Sequence, residues 1–162
     1  MIVGDDVTPQ ANDKRQVVPM VEQSQANLQA AGVAEKIGAF DADTGYFSEE
    51  NVSYLRDEQI DPSIATERLK HHEKIPLVPK GCAPKDLTVK QRMACKLRTK
   101  KGRETYAKRK GMIEPIFGQI KQARGFRQFL LRGMENMRGE WRLVCLTHNR
   151  LKLFRSQQVA TA

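Results

Sequence analysis

At 162 residues the chain is long enough for one domain, which on folding buries roughly two thirds of its unfolded surface. Its 40% hydrophobic content, with six Phe, three Tyr and one Trp, suits a globular core. Three cysteines without a Cys-x-x-Cys pair, and no apolar run near the ~18 residues of a membrane span, exclude a disulfide scaffold and a transmembrane helix. The polar start does not read as a signal peptide, so the expected setting is a reducing cytoplasm with no membrane partner.

The net charge of +9 is unevenly spread. Residues 1–79 carry 7 Lys/Arg against 14 Asp/Glu, residues 80–127 carry 15 against 3, and residues 128–162 carry 6 against 2. A basic block of that density suits a polyanion, nucleic acid first, because phosphate neutralisation needs clustered cations. A solvated basic linker is the plainer alternative.

Residues 1–4 (Met-Ile-Val-Gly) read as a strand entered without a preceding turn, and therefore as a core strand cut at its start. A polar connection leads to a helix ending near Ala31, with Val17, Val21, Leu28 and Ala31 on one face and Pro19 near its beginning. Residues 37–42 form a short buried strand that stops at Asp43-Thr-Gly-Tyr46. Ser48 caps a helix over 49–59, and residues 62–66 form another strand. The alternation implies an α/β unit with a partly parallel sheet.

From 70 to 103 the pattern weakens around Pro76, Pro79, Gly81 and Pro84, consistent with an insertion that carries one helix over 89–98. A helix beginning near Thr105 carries Tyr106, Ile113, Phe117 and Ile120, and Pro115 should kink or restart it. The last helix, over 134–155, has a stripe of Met134, Met137, Trp141, Val144, His148 and Leu151.

Two acids stand out. Asp43 follows a buried strand at a glycine turn, where α/β sheets place ligands, although turn and cap aspartates are also common there. Glu114 is the only acid between Glu104 and Glu135, and positions 110, 114 and 121 share a helical face. A carboxylate among cations can hold a metal while the cations hold phosphate; a surface acid making i,i+4 pairs is the simpler reading. His71, His72, Cys82 and Cys95 match no standard zinc spacing.

Asp41-Ala-Asp-Thr-Gly-Tyr-Phe-Ser48 resembles the block around the second catalytic aspartate of DDE insertion-sequence transposases, and Glu114-Pro-Ile-Phe-Gly-Gln-Ile-Lys121 resembles their third. Arg124-Gly-Phe-Arg-Gln-Phe-Leu-Leu-Arg-Gly133 and Glu140-Trp-Arg-Leu-Val-Cys-Leu-Thr-His-Asn149 are similar to the tail of one subgroup. The resemblance implies a ribonuclease-H-like mixed sheet flanked by helices, truncated at its amino end. The expected parts are a partial core at 1–69 with the second acid, a basic insertion at 70–104, the glutamate helix and C-terminal helix at 105–155, and a disordered tail at 156–162.

The same resemblance implies metal-dependent DNA strand cleavage and transfer, with Asp43 and Glu114 as catalytic ligands of two Mg²⁺ or Mn²⁺ ions. Tyr106, Arg109, Glu114 and Lys121 match a family signature, with one extra residue between Arg109 and Glu114, so Lys110 is an alternative to Arg109. DNA contact is expected from Tyr106, Arg109, Lys110, Lys121, Arg124 and Arg127. The family's first aspartate lies on an earlier strand and has no counterpart among these residues. The chain alone is therefore expected to be inactive, and a non-catalytic DNA-binding remnant is the rival reading. The implied partners are double-stranded transposon ends and either further copies or a complementing N-terminal part. An RNA- or ribosome-associated protein is a third reading, for which Tyr106, Phe117, Phe126 and Phe129 are the only aromatics in or near the basic block.

Overall fold

The computed structural model describes residues 1–67, 84 and 86–160, apart from the side chains at 110, 159 and 160. His71, His72 and Cys82, with most of the expected insertion before 84, lie outside the described residues. The chain divides into two compact units. One comprises Asn12–Pro19 and Glu35–Ile113; the other comprises Met1–Ala11, Met20–Ala34 and Glu114–Ala162. This grouping differs from the expected division at 69 and 104, because the segments of each unit are distant in sequence.

In the first unit the expected α/β pattern forms around a two-stranded parallel sheet, β1 (Ala39–Ala42) beside β2 (Asp61–Ile64), with Ala39 opposite Asp61 and Ala42 opposite Ile64. Parallel neighbours need a crossover, and α2 (Glu49–Asp57) supplies it. Its start is set by Ser48, whose hydroxyl accepts from the Asn51 N–H at 3.1 Å, with Glu49 and Glu50 at the positive end of the helix. Val52 and Leu55 on α2, with Ile60 and Ile64, are buried. Each such side chain contributes roughly 1.5–3 kcal/mol by leaving water.

Asn51 is buried and polar, and its amide donates to the Lys14 and Tyr46 carbonyls, both at 2.9 Å, tying the first helical turn to two short 3₁₀ turns. The helix α3 (Val89–Arg98) has the bounds that its spacing predicts and begins with a reciprocal cap between Thr88 and Gln91. Lys96 on α3 is half-buried. Its ammonium meets the Asp61 carboxylate at 2.6 Å and anchors the helix to β2.

Helix α4 (Lys100–Gly118) begins five residues before the expected start and continues through Pro115. Proline removes the N–H that would bond the residue-111 carbonyl, and its ring crowds that carbonyl. The strain is followed by a wider π turn over Gln119–Ala123 instead of a break. At the α3–α4 corner a side chain at Gly102 would collide with the Lys96 carbonyl oxygen, so the turn requires glycine's small size.

The second unit contains most of α1 (Val17–Ala30), with Val21 buried, and α5 (Met134–Ala160). Gly32, at φ 77°, ends α1 as expected. Residues 156–160 of the expected disordered tail are helical as the end of α5. The expected strand at 1–4 does not form. Among the described residues the only strands are β1 and β2, so the amino-terminal segment has no backbone ladder to join.

Side-chain amides take the place of a neighbouring strand there. Asn149 accepts from the Ile2 N–H at 2.8 Å and donates to the Ile2 carbonyl at 2.6 Å. Gln23 makes the same two-way exchange with Asp5 at 3.0 and 3.1 Å, and Asn27 donates to the Val3 carbonyl at 2.7 Å. Backbone groups of Ile2, Val3 and Asp5 are thus partnered without sheet pairing. The α/β class stands, and the sheet among the described residues is one parallel pair.

Candidate functional site

Asp43 lies one residue beyond β1 and caps the 3₁₀ turn Thr44–Tyr46, accepting from the Gly45 N–H through Oδ1 at 3.1 Å. It therefore has the cap role that its glycine turn allows, and its side chain remains exposed. Asp41 stands two residues earlier, and period-two alternation points both carboxylates to one side of the strand. The Asp41 Oδ1 is buried with no hydrogen-bond partner. Asp13 also approaches: a Cβ on Gly45 would lie 3.0 Å from its Oδ2 and 3.3 Å from the Asp43 Oδ1.

The periodicity of α4 divides its first turns into two faces. Gly102, Thr105, Tyr106 and Arg109 recur at i, i+3, i+4 and i+7 and are buried or half-buried. Lys100, Lys101, Arg103 and Lys108 occupy the exposed remainder. On the packed face the Arg109 guanidinium lies 5.2 Å from the Tyr106 ring centroid, and its Nε is buried without a partner.

Tyr106 also feels the strand acids. Burial raises its phenol pKa, Arg109 opposes that shift, and Asp43 and Asp41 add to it. Burial likewise raises the Tyr46 phenol, with Asp13 and Asp43 contributing. The structure thus brings Asp43, Tyr106 and Arg109 into one unit and adds Asp13 and Asp41. Both phenols stay protonated and can donate a hydrogen bond to an anion.

Glu114, Lys121, Arg124 and Arg127 belong to the other unit. Glu114 is exposed on α4. Lys121 sits in the π turn with its ammonium 5.5 Å from the Phe117 ring, and Phe117 stacks on Trp141 at 6.4 Å. Arg124 is turned to structural work, since its guanidinium donates to the Val144 carbonyl at 3.3 Å and to the Thr147 hydroxyl of α5. Arg127 donates to the Gln122 side chain at 2.7 Å and remains exposed. The side chain of Lys110 lies outside the described residues.

Mg²⁺ prefers hard oxygen ligands, and the carboxylates of Asp43 and Glu114 are of that kind. Among the described residues no set of three or more His, Cys, Asp or Glu forms a metal cluster. Cys95 and Cys145 are free thiols. Burial, with Asp5 adding, pushes the Cys145 thiol to about 11, which leaves it unreactive at neutral pH.

His148, on the apolar stripe of α5, is only 3% exposed, and both ring nitrogens lack partners. Burial first, then Lys152 and Arg124, lowers its pKa below the ordinary value of about 6.5. The unfolded chain takes up that proton near pH 6.5, whereas the folded chain resists it. Stability is therefore expected to fall as pH drops below about 6.5 and to show no contribution from this group above it. In denaturant melts between about pH 7 and 5, His148→Leu should flatten that fall; an unchanged slope would refute the assignment.

Asp41 could have been found from its i−2 spacing to Asp43. Asp13 could not, because 30 residues of chain separate it from Asp43 without a local pattern.

Residues 82–154 match the family described as Transposase DDE domain. The matched stretch covers less than half of the chain; it includes Tyr106, Arg109, Glu114 and Lys121 and stops short of Asp43. No curated protein and no solved structure matches the chain. No helix among the described residues is long and apolar enough to cross a membrane. The match supports a transposition-related role.

Proposed function

We propose that this chain is part of the catalytic region of a DDE transposase, acting on double-stranded DNA at transposon ends. The observation that carries the reading is the match of residues 82–154 to the Transposase DDE domain, which contains the sequence block around Glu114. Asp43 and Glu114 are the carboxylates that hold divalent ions, Mg²⁺ or Mn²⁺; support for that role comes from their sequence blocks and from their exposed oxygens. When bound, such ions activate an attacking oxygen and stabilise a leaving one.

The chain's own groups do the rest. Lys100, Lys101, Arg103 and Lys108 line the exposed face of α4 and take DNA phosphates. Tyr106 and Arg109, half-buried on the other face of the helix, add a protonated phenol and a guanidinium. Lys121 and Arg127 are further exposed cations in the other unit, and Arg124, also exposed, holds the following loop on α5. The cap made by Asp43 fixes one carboxylate oxygen on the Gly45 N–H and leaves Oδ2 for a metal.

Metal-dependent nicking of duplex DNA by a version joined to a family-like first hairpin, compared before and after Glu114→Gln, tests the reading. Equal nicking would overturn it.

A further inference from the structure

The segment between the π turn and α5 presents two large apolar side chains to solvent. Leu130 is 76% exposed and its neighbour Leu131 is 53% exposed. Large exposed apolar groups that are held in place generally mark a contact surface. These two are held from behind. The Glu140 carboxylate of α5 accepts from the Leu130 N–H at 3.0 and 3.1 Å and from the Leu131 N–H at 3.2 Å.

Aromatic packing fixes the base of the segment: Phe126 lies 5.6 Å from Phe129 and 6.2 Å from Trp141. The far end is pinned by Asn136, which donates to the Arg132 carbonyl at 2.8 Å, and by the left-handed turn at Gly133 with φ 88°. Both leucines stay exposed, so the tip is an apolar projection whose backbone is tied down on both sides.

Charge identifies what it meets. No acid occurs between Glu114 and Glu135, whereas Lys121, Arg124, Arg127 and Arg132 all do. Glu140, the nearest acid in use, spends its oxygens on backbone donors. A partner must therefore be polyanionic and also offer an apolar face. Nucleic acid combines both, because its phosphates suit arginine and its bases have apolar faces once unstacked.

We propose that Leu130 and Leu131 form a wedge that enters an unstacked base step of DNA, with Arg127 and Arg132 gripping the phosphates on either side. Side chains of this type insert between base steps in DNA-bending proteins, at a cost of a few kcal/mol per unstacked step. This wedge rests on the DNA-binding reading above. It assigns a role to residues outside the acids and cations already considered.

The test uses the full chain and two synthetic duplexes of one sequence, one intact and one with a single-base bulge, each with 2-aminopurine at the central step. The wild-type chain should bind the bulged duplex roughly tenfold more tightly, because the bulge already bears the unstacking cost, and should raise 2-aminopurine fluorescence. In Leu130→Ala/Leu131→Ala, intact-duplex affinity should stay within about twofold, while the preference and the fluorescence rise disappear. Leu130→Met/Leu131→Met, which keeps an apolar wedge, should restore both.

A fluorescence rise that survives the alanine pair overturns the wedge and leaves DNA binding standing. Failure of the wild-type chain to bind either duplex overturns both. If the alanine pair instead lowers affinity for phosphatidylserine-containing vesicles and leaves the DNA signals untouched, the leucines are a lipid contact and the wedge is wrong.

Discussion

In a version of the chain joined at its amino end to a family-like first hairpin carrying an aspartate, Glu114→Gln is expected to lower Mg²⁺-dependent nicking of duplex DNA by at least about 100-fold. The hairpin is needed because the resemblance implies three acids and supplies two among these residues, Asp43 and Glu114. Glutamine keeps the length and the hydrogen-bonding capacity of the side chain and removes its charge. A divalent cation loses an anionic ligand, while the helix loses nothing, since Glu114 is exposed.

Asp43→Asn should have a similar effect on nicking. The asparagine oxygen can still accept from the Gly45 N–H, so the turn after β1 should survive and circular dichroism should be unchanged. Lys121→Ala should be milder, about tenfold, and should raise KM more than it lowers kcat, because a cation on the π turn positions phosphate. Full nicking by both acid variants would leave the non-catalytic DNA-binding reading in possession.

The second large effect is on binding. Affinity for an intact duplex should fall with salt along a log–log slope of roughly −0.9 per phosphate neutralised, so six to ten contacts would cost about 10³ to 10⁵ in affinity between 50 and 200 mM salt. The exposed face of α4 supplies Lys100, Lys101, Arg103 and Lys108 to that total. Each alanine there should make the slope shallower by about 0.9, with little dependence on DNA sequence. Lys96→Ala should behave differently. It breaks the 2.6 Å pair with Asp61, so its main effect should be on the stability of the β2–α3 contact and not on the slope. A flat salt response in the unmodified chain would remove the basic block from the DNA-binding argument.

Local chemistry made part of this molecule legible in sequence. Ser48 marks the start of α2 because a hydroxyl ahead of a helix has a definite use, and α3 has the expected bounds. The turn at Asp43 and the strand before it follow from a glycine beside a capping acid. Long-range partners were not legible. Residues 1–4 have strand composition, yet the backbone there is satisfied by Asn149, Gln23 and Asn27, none of which is near in sequence except through the fold.

Pro115 was expected to interrupt α4, but the helix carries it through and opens into the π turn, where Ile120 is buried. The same limit applies around the acids. Asp43 could be picked out and Asp41 follows from strand alternation, whereas Asp13 reaches the turn only through tertiary folding. Arg124 is one more cation in the basic row by sequence, and its bond to the Val144 carbonyl is a tether that composition does not reveal.

The most direct measurement of the central claim, that Asp43 and Glu114 hold divalent metal, is cleavage of the polypeptide by Fe²⁺ with ascorbate, which cuts backbone next to bound iron. Fragments should end near residues 43 and 114, excess Mg²⁺ should suppress them, and Asp43→Asn and Glu114→Gln should each remove the cut at its own position. Cutting that is absent at both positions, or that persists at both after the two substitutions, would contradict the metal assignment.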